Sequence, residues 1–129
     1  MNNQTENHIS IIGGAGHVGL PLGLAFASKN FKIHLIDKNE KKLKNIKQDK
    51  MPFLEIGAKK LLQKINKKKL FFYKNDLSNV SKSKYIIICI GTPIDKKLKP
   101  DLISFYRLIK KLKNIINKKQ ILIIRSSVL

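Results

Sequence analysis

Apolar and polar residues alternate in blocks along the chain, and the blocks predict strands and helices in turn. Short, mainly apolar runs at 9–12, 32–36, 70–73, 85–90 and 121–124 are typical of buried strands, and the run at 85–90 is strongly β-branched. Apolar residues recur every three to four positions over 17–30, 39–49, 58–65 and 102–116, which indicates amphipathic helices. Strands that alternate with helices favour an α/β fold with a parallel sheet and right-handed crossovers.

The same spacing predicts which side of each helix faces the sheet. In the first helix the apolar positions at helical spacing are Val18, Leu22, Ala25 and Phe26. In the lysine-rich second helix only Leu43 and Ile46 are expected to face inward. Residues 1–8 are polar, so we expect a disordered leader followed by one domain over 9–129.

A glycine-rich segment joins the first strand to the first helix. Residues 14–19 read G-A-G-H-V-G and match the dinucleotide-binding pattern G-x-G-x-x-G. In this pattern Gly14 allows a tight turn, Gly16 lets a phosphate approach the main chain, and Gly19 lets the helix lie close to the strand. Unpaired amides at the helix amino terminus then favour an anion. We therefore predict a pyrophosphate-binding turn.

An acidic residue completes the pattern at the end of the second strand. Asp37 lies roughly twenty residues beyond the glycines, where a carboxylate can accept hydrogen bonds from the adenosine ribose. Its charge would repel a 2′-phosphate and therefore favours NAD over NADP. Lys38, Lys41 and Lys42 could tolerate that phosphate, so NADP stays open. A turn that served packing alone would leave Asp37 unexplained.

Four segments together resemble a known family. The sequences G-x-G-H-V-G-L-P-L at 14–22, M-P-F-L-E at 51–55, G-T-P at 91–93 and R-S-S-V at 125–128 occur in this order in the UDP-glucose/GDP-mannose dehydrogenase family. The resemblance covers 9–129 and is to the NAD-binding N-terminal domain of that family. It implies a Rossmann-like doubly wound parallel sheet of strand order 3-2-1-4-5, truncated before the central helix and second domain. Within the family, H-V-G-L-P-L-G at 17–23, M-P-F-L-E at 51–55 and P-D at 100–101 look most like the UDP-N-acetylmannosamine dehydrogenase branch.

The resemblance also implies a chemistry. Members of the family oxidise the C6 hydroxymethyl of a nucleotide sugar to a carboxylate with two NAD+. It implies a cofactor-binding set of Gly14, Gly16, His17, Val18, Gly19, Asp37, Lys42, Gly91 and Thr92. Ser127 stands where the family usually has threonine, which places a hydroxyl near the reacting centre but without the methyl that restricts its rotamer.

The family's catalytic residues follow the point at which this sequence ends. Its nucleophilic cysteine, sugar contacts and dimerising helix would all lie beyond Leu129. We therefore expect this chain to bind NAD without turnover, and to meet a UDP-sugar only together with that second half. A full-length family member is expected to form a homodimer or larger assembly.

Cysteine and histidine contribute little further chemistry. Cys89, the single cysteine, lies in an apolar strand and is expected to be an inert thiol. His8, His17 and His34 lack metal-ligand spacing, so no metal site is predicted. The chain has no apolar run long enough to cross a membrane, and a cytoplasmic location is expected.

The charge raises one alternative. Twenty-seven Lys and Arg against eight Asp and Glu give a formal net charge of +19, which would attract any polyanion at low salt. The basic residues are almost all lysines spread over every segment, and only Arg107 and Arg125 are arginine. Specific nucleic-acid surfaces usually combine clustered arginine with aromatic residues, so no specific nucleic-acid partner is predicted.

Two other functions stay open. A β-hydroxyacid dehydrogenase amino-terminal domain shares the Rossmann-like start, although the segments at 20–22, 51–55 and 125–128 count against it. A noncatalytic nucleotide-binding remnant or basic interaction module cannot be separated from the leading hypothesis by sequence.

Overall fold

Five parallel strands form the centre of the molecule. The computed structural model describes residues 6–91 and 102–126. The strands are β1 (His8–Ile12), β2 (Lys32–Asp37), β3 (Leu70–Lys74), β4 (Tyr85–Ile88) and β5 (Ile121–Ile124). Their order is β3-β2-β1-β4-β5, which confirms the predicted doubly wound topology.

Helices pack on both faces of this sheet. They are α1 (Gly19–Ala27), α2 (Glu40–Lys47), α3 (Ala58–Lys64) and α4 (Ile103–Lys113), with short 3-10 turns at Lys67–Lys69 and Val80–Lys82. Buried residues of α1, α2 and α3 share one core with β1, β2 and β3. Phe105 and Leu112 of α4 share a second core with the opposite face of the sheet. Among the described residues, no helix is long and apolar enough to span a bilayer.

The parallel register aligns side chains in rows across the sheet. Ile33 pairs with Ile9, Ile9 with Tyr85, and Tyr85 with Ile121. Since paired residues of parallel strands point to the same face, this row runs beneath α1, α2 and α3 at one end. At the other end, Ile121 is 45% exposed, so the helices cover the β1–β3 part of the face more completely than β5.

The helix over 17–30 buries only part of the apolar set at helical spacing. Leu22 and Phe26 pack partly buried against the core, Val18 and Ala25 are exposed, and the fully buried side chains are those of Leu20, Leu24 and Ala27. Because α1 is apolar on nearly all sides, hydrophobicity alone does not select its inner face. Glycine selects it: a Cβ on Gly23 would lie 3.1 Å from Ile11 Cδ1. The glycine-bearing side therefore packs closest to the sheet. By contrast, Leu43 and Ile46 of α2 are buried as predicted.

Strand boundaries also shift: β2 and β3 each run one residue further than predicted, and β1 and β4 change as well. β1 begins at His8, the last residue of the predicted leader, because its carbonyl accepts a hydrogen bond from the Lys84 amide at 3.1 Å. β4 ends at Ile88 rather than at residue 90. The Cys89 amide still donates to the Ile12 carbonyl at 2.7 Å, so the end of β4 remains attached to the end of β1.

A histidine cluster lies on the α4 side of the sheet. His34 is 2% exposed; its Nε2 lies 2.7 Å from His8 Nδ1 and its Nδ1 lies 2.9 Å from the Tyr73 hydroxyl. Burial, with a smaller effect of the nearby charges of His8, Lys82 and Lys32, lowers the pKa of His34 to about 4. The ring is therefore neutral in the folded protein at neutral pH.

Candidate nucleotide-binding site

The turn between β1 and α1 depends on a glycine that precedes the matched pattern. Gly13 has φ +89°, and a Cβ there would lie 2.8 Å from the Cys89 carbonyl oxygen. Both facts require glycine, because L-residues rarely adopt this conformation and no side chain fits the space. The left-handed turn is therefore at Gly13 and not, as predicted, at Gly14. The signal was present in the sequence as a double glycine.

The other glycines allow close packing around the turn. A Cβ on Gly14 would lie 2.9 Å from Leu35 Cα, so Gly14 brings the turn against β2. A Cβ on Gly19 would overlap the Gly13 carbonyl oxygen, so Gly19 brings α1 against the turn. At Gly16 a Cβ would have one close neighbour among the described atoms, the Gly13 oxygen at 3.3 Å. The turn is therefore less crowded at Gly16 than at the other three glycines, and this is the side at which we predict that a pyrophosphate approaches.

Most amides of the turn are already hydrogen-bonded. Those of Gly13 and Gly14 donate to the Ile36 carbonyl at 2.8 and 3.0 Å. The Ala15 amide donates to Asp37 Oδ2 at 3.0 Å. The first half of the turn is therefore fixed to the end of β2.

The three amides that lead into α1, unlike those of the first half of the turn, are not hydrogen-bonded within the described residues. Those of His17, Val18 and Gly19 donate to no acceptor among residues 6–91 and 102–126. The helix has no side-chain cap and no acidic residue in its first turn. Consecutive unpaired amides and the positive end of a helix dipole are the groups that bind a phosphate.

Asp37 is bonded to the first half of the turn and is held in place by two hydrogen bonds. Besides accepting from Ala15, its Oδ1 accepts from the Asn39 amide at 2.9 Å. The side chain stays partly exposed, and each carboxylate oxygen retains a lone pair for a further donor. The fixed carboxylate can thus also accept from a ribose hydroxyl. Its bond to the turn was not foreseen from sequence, since it joins residues 22 positions apart.

Lys42 lies in the first turn of α2 and is partly exposed. Its amide donates to Asn39 Oδ1 at 3.1 Å, which caps the helix. The Lys42 ammonium group is not engaged by a carboxylate in the described part of the chain.

An aromatic contact joins the turn to a distant loop. The exposed ring of His17 lies against that of Phe53, with the centroids 4.1 Å apart and the planes tilted by 30°. Phe53 was not among the predicted site residues. Phe53 lies in the M-P-F-L-E segment that resembles the family, but this segment by itself does not predict a contact with the turn.

The remaining predicted residues lie near or beyond the end of β4. Gly91 is exposed, and a Cβ there would meet no described atom within 4 Å. Thr92 and Ser127 lie outside the described residues. The structure therefore brings together Gly14, Gly16, His17, Val18, Gly19 and Asp37, with Lys42 in the helix that follows.

Cys89 sits close to the turn but is not an activated thiol. It is partly buried, and burial raises the pKa of its thiol, while the charge of Arg125 acts in the opposite direction. A raised pKa disfavours the nucleophilic thiolate. In the described ranges, no group of three or more His, Cys, Asp or Glu residues could hold a metal ion.

The fold and this site define a class. A parallel sheet of order 3-2-1-4-5, a glycine turn at the switch point and an acidic residue at the end of β2 are the features of a dinucleotide-binding α/β domain. Residues 7–129 match the model for the NAD binding domain of the UDP-glucose/GDP-mannose dehydrogenase family. The chain therefore belongs to this family and represents its NAD-binding domain, which confirms the predicted family, fold and cofactor.

Individual relatives agree with this assignment. The chain is 31% identical over 123 residues to protein CapL of Staphylococcus aureus, covering 95% of this chain and 27% of CapL. It is 30% identical over 121 residues to the UDP-glucose 6-dehydrogenase TuaD of Bacillus subtilis, covering 93% and 26%. A solved GDP-mannose dehydrogenase from Pseudomonas aeruginosa superposes with TM-score 0.83 at 28% identity, covering 94% of this chain and 28% of that one. The chain spans 14–27% of the length of its curated relatives.

Proposed function

We propose that this chain is the cofactor-binding part of an NAD-dependent nucleotide-sugar 6-dehydrogenase, and that the substrate is UDP-N-acetylmannosamine. The observation that carries the cofactor role is a set of three amides, those of His17, Val18 and Gly19, that are unpaired within the described residues and follow a turn bonded to the Asp37 carboxylate. The substrate assignment rests on the segments at 17–23 and 51–55, which look most like that branch of the family.

In this proposal the turn holds the diphosphate of NAD. The amides of His17, Val18 and Gly19 donate to its oxygens, and the open side of Gly16 admits it. Asp37 accepts from the adenosine ribose, and its negative charge disfavours NADP. Lys42 is proposed to contact the same ribose. Gly91 and Thr92, which come after β4 in the sequence, are proposed to line the cofactor. NAD supplies the hydride acceptor for oxidation of the sugar.

The proposal assigns binding, and not turnover, to this chain alone. Oxidation to a carboxylate through a covalent intermediate needs an activated nucleophile and a base. Cys89 does not provide the first, since its pKa is raised by burial. A UDP-sugar site, the role of Ser127 near it, assembly into a homodimer or larger oligomer, and a cytoplasmic location belong to the proposal for the whole protein.

Calorimetric titration of the 129-residue chain with NAD+ and NADP+ tests the cofactor role. We expect saturable binding of NAD+ and weaker binding of NADP+ at physiological salt. Absence of NAD+ binding would contradict the proposed function, and equal affinity for the two would contradict the NAD preference.

A second assay separates binding from catalysis. The chain is incubated with NAD+ and UDP-N-acetylmannosamine, and absorbance of the reduced cofactor is followed. No reduction is expected. Measurable turnover would show that catalytic residues had been overlooked in this sequence.

A further inference from the structure

We propose that Phe53 is a positioning residue of the cofactor site: its ring holds His17 and thereby pre-orders the amides that receive the diphosphate. This inference rests on the proposed function, because it assigns Phe53 a part in the binding of NAD by the turn. The contact of the His17 and Phe53 rings, at 4.1 Å between centroids, is the observation that carries it.

The turn needs an additional restraint at His17. The amides of Gly13, Gly14, Ala15 and Gly16 are all bonded to carbonyl or carboxylate oxygens, whereas those of His17 and Val18 have no partner in the described ranges. The His17 and Val18 amides lie between the hydrogen-bonded half of the turn and α1, so their orientation is less restrained than that of residues 13–16. A side-chain contact at His17 limits this freedom without using the amides themselves.

Phe53 is suited to provide that contact because it is itself anchored. It is partly buried and packs against the core shared by α1, α2 and α3. Pro52 restricts the backbone before it, and the Ala58 amide closes the loop by donating to the Glu55 carbonyl at 3.2 Å. The next apolar residue in the loop, Leu54, is fully exposed. Phe53 is therefore the residue through which this loop contacts the turn.

The expected consequence is a change in affinity. Ordering of a flexible turn on binding weakens the complex, and a contact already present in the free protein removes part of that cost. Aromatic pairs contribute enough free energy for about a two- to tenfold change in the dissociation constant. Loss of the contact should weaken the binding of ligands that contain the diphosphate and leave the binding of other ligands unchanged.

The test compares Phe53→Leu with the wild-type chain. Leucine keeps the apolar anchor but lacks the flat ring, so we expect NAD+ and ADP-ribose to bind about two- to tenfold more weakly. Adenosine, which lacks the diphosphate, should bind unchanged. Phe53→Tyr keeps the ring and should restore the affinity. Nitrogen-15 NMR should show the amide signals of residues 17 and 18 shifted in Phe53→Leu and restored in Phe53→Tyr.

Two matched variants control for unspecific effects. Leu54→Ala changes the neighbouring, fully exposed side chain, and Phe72→Leu makes the same substitution at another ring against the same core. Both should bind NAD+ as the wild type does. The inference is overturned if Phe53→Leu binds NAD+ normally while the wild type also binds, or if Phe72→Leu weakens binding equally. If the wild-type chain binds no NAD+, the proposed function fails and the inference with it.

Discussion

The two sides of the sheet around β1 differ in how completely they are covered. On the β1–β3 side, α1, α2 and α3 bury one face, and this is where the glycine turn meets Asp37. On the β5 side of the same face, Ile121 and Ile123 are 45% and 41% exposed. Right-handed crossovers explain the difference, because the helices that link β1, β2 and β3 all lie above those strands.

This difference shows that the candidate site lies on the more tightly packed part of the sheet. The candidate site is built on strands whose side chains are fully enclosed, such as Ile11, Ile33 and Leu35. A turn that must hold three amides in one orientation benefits from such a base, since packed side chains deform little. β5 carries no residue of the candidate site among those the structure describes.

Substitution of matched isoleucines should give the largest effect. Ile33 and Ile121 lie in one row of the sheet, and Ile33 is 0% exposed against 45% for Ile121. Ile33→Ala should lower the free energy of unfolding by about 2–5 kcal/mol because it leaves a cavity. Ile121→Ala should cost about 1 kcal/mol, since much of its side chain is already in water. Urea denaturation measures both, and equal losses would contradict the comparison.

Loss of the hydrogen bond between β2 and the turn should have the second-largest effect. Asp37→Ala removes the acceptor of the Ala15 amide and the proposed ribose contact, so NAD+ should bind more weakly by about 1–3 kcal/mol. Asp76→Ala is the matched control, because the Asp76 carboxylate also accepts from a backbone amide, but from that of Ser78 and not from an amide of the glycine turn. Calorimetric titration of both variants with NAD+ measures the change in affinity, and Asp76→Ala should bind as the wild type does. An unchanged affinity in Asp37→Ala would remove that residue from the site.

The histidine cluster predicts a smaller, pH-dependent effect. The pKa of His34 is about 4 in the folded protein and about 6.5 when unfolded. Between these values the unfolded chain binds a proton that the folded chain does not, so stability falls as the pH decreases from about 6.5 toward 4. From pH 7 to pH 5 we expect a loss of about 2 kcal/mol.

His34→Phe supplies the comparison for this prediction. Phenylalanine keeps an aromatic ring beside Phe71, whose ring centroid lies 4.7 Å from that of His34, but cannot take up a proton. Denaturant titrations at both pH values should therefore show a flatter pH dependence in the variant. The same slope in both proteins would show that His34 is not the group responsible.

The sequence alone determined the elements, their order and the core of the site. Apolar periodicity is local, so it located all five strands and the inward residues Leu43 and Ile46 of α2. The glycines and Asp37 were recognisable because a phosphate-binding turn demands particular residue types at fixed spacing. These constraints act within short stretches of chain and can be recognised without a structure.

Tertiary structure decided the features that depend on how distant segments approach. The inner face of α1 was set by contact of Gly23 with β1 and β2, because the helix is apolar on nearly every side. The bond between Asp37 and Ala15 and the contact of Phe53 with His17 join segments that no local pattern relates. Each depends on packing geometry between elements, which a spacing of residue types does not encode.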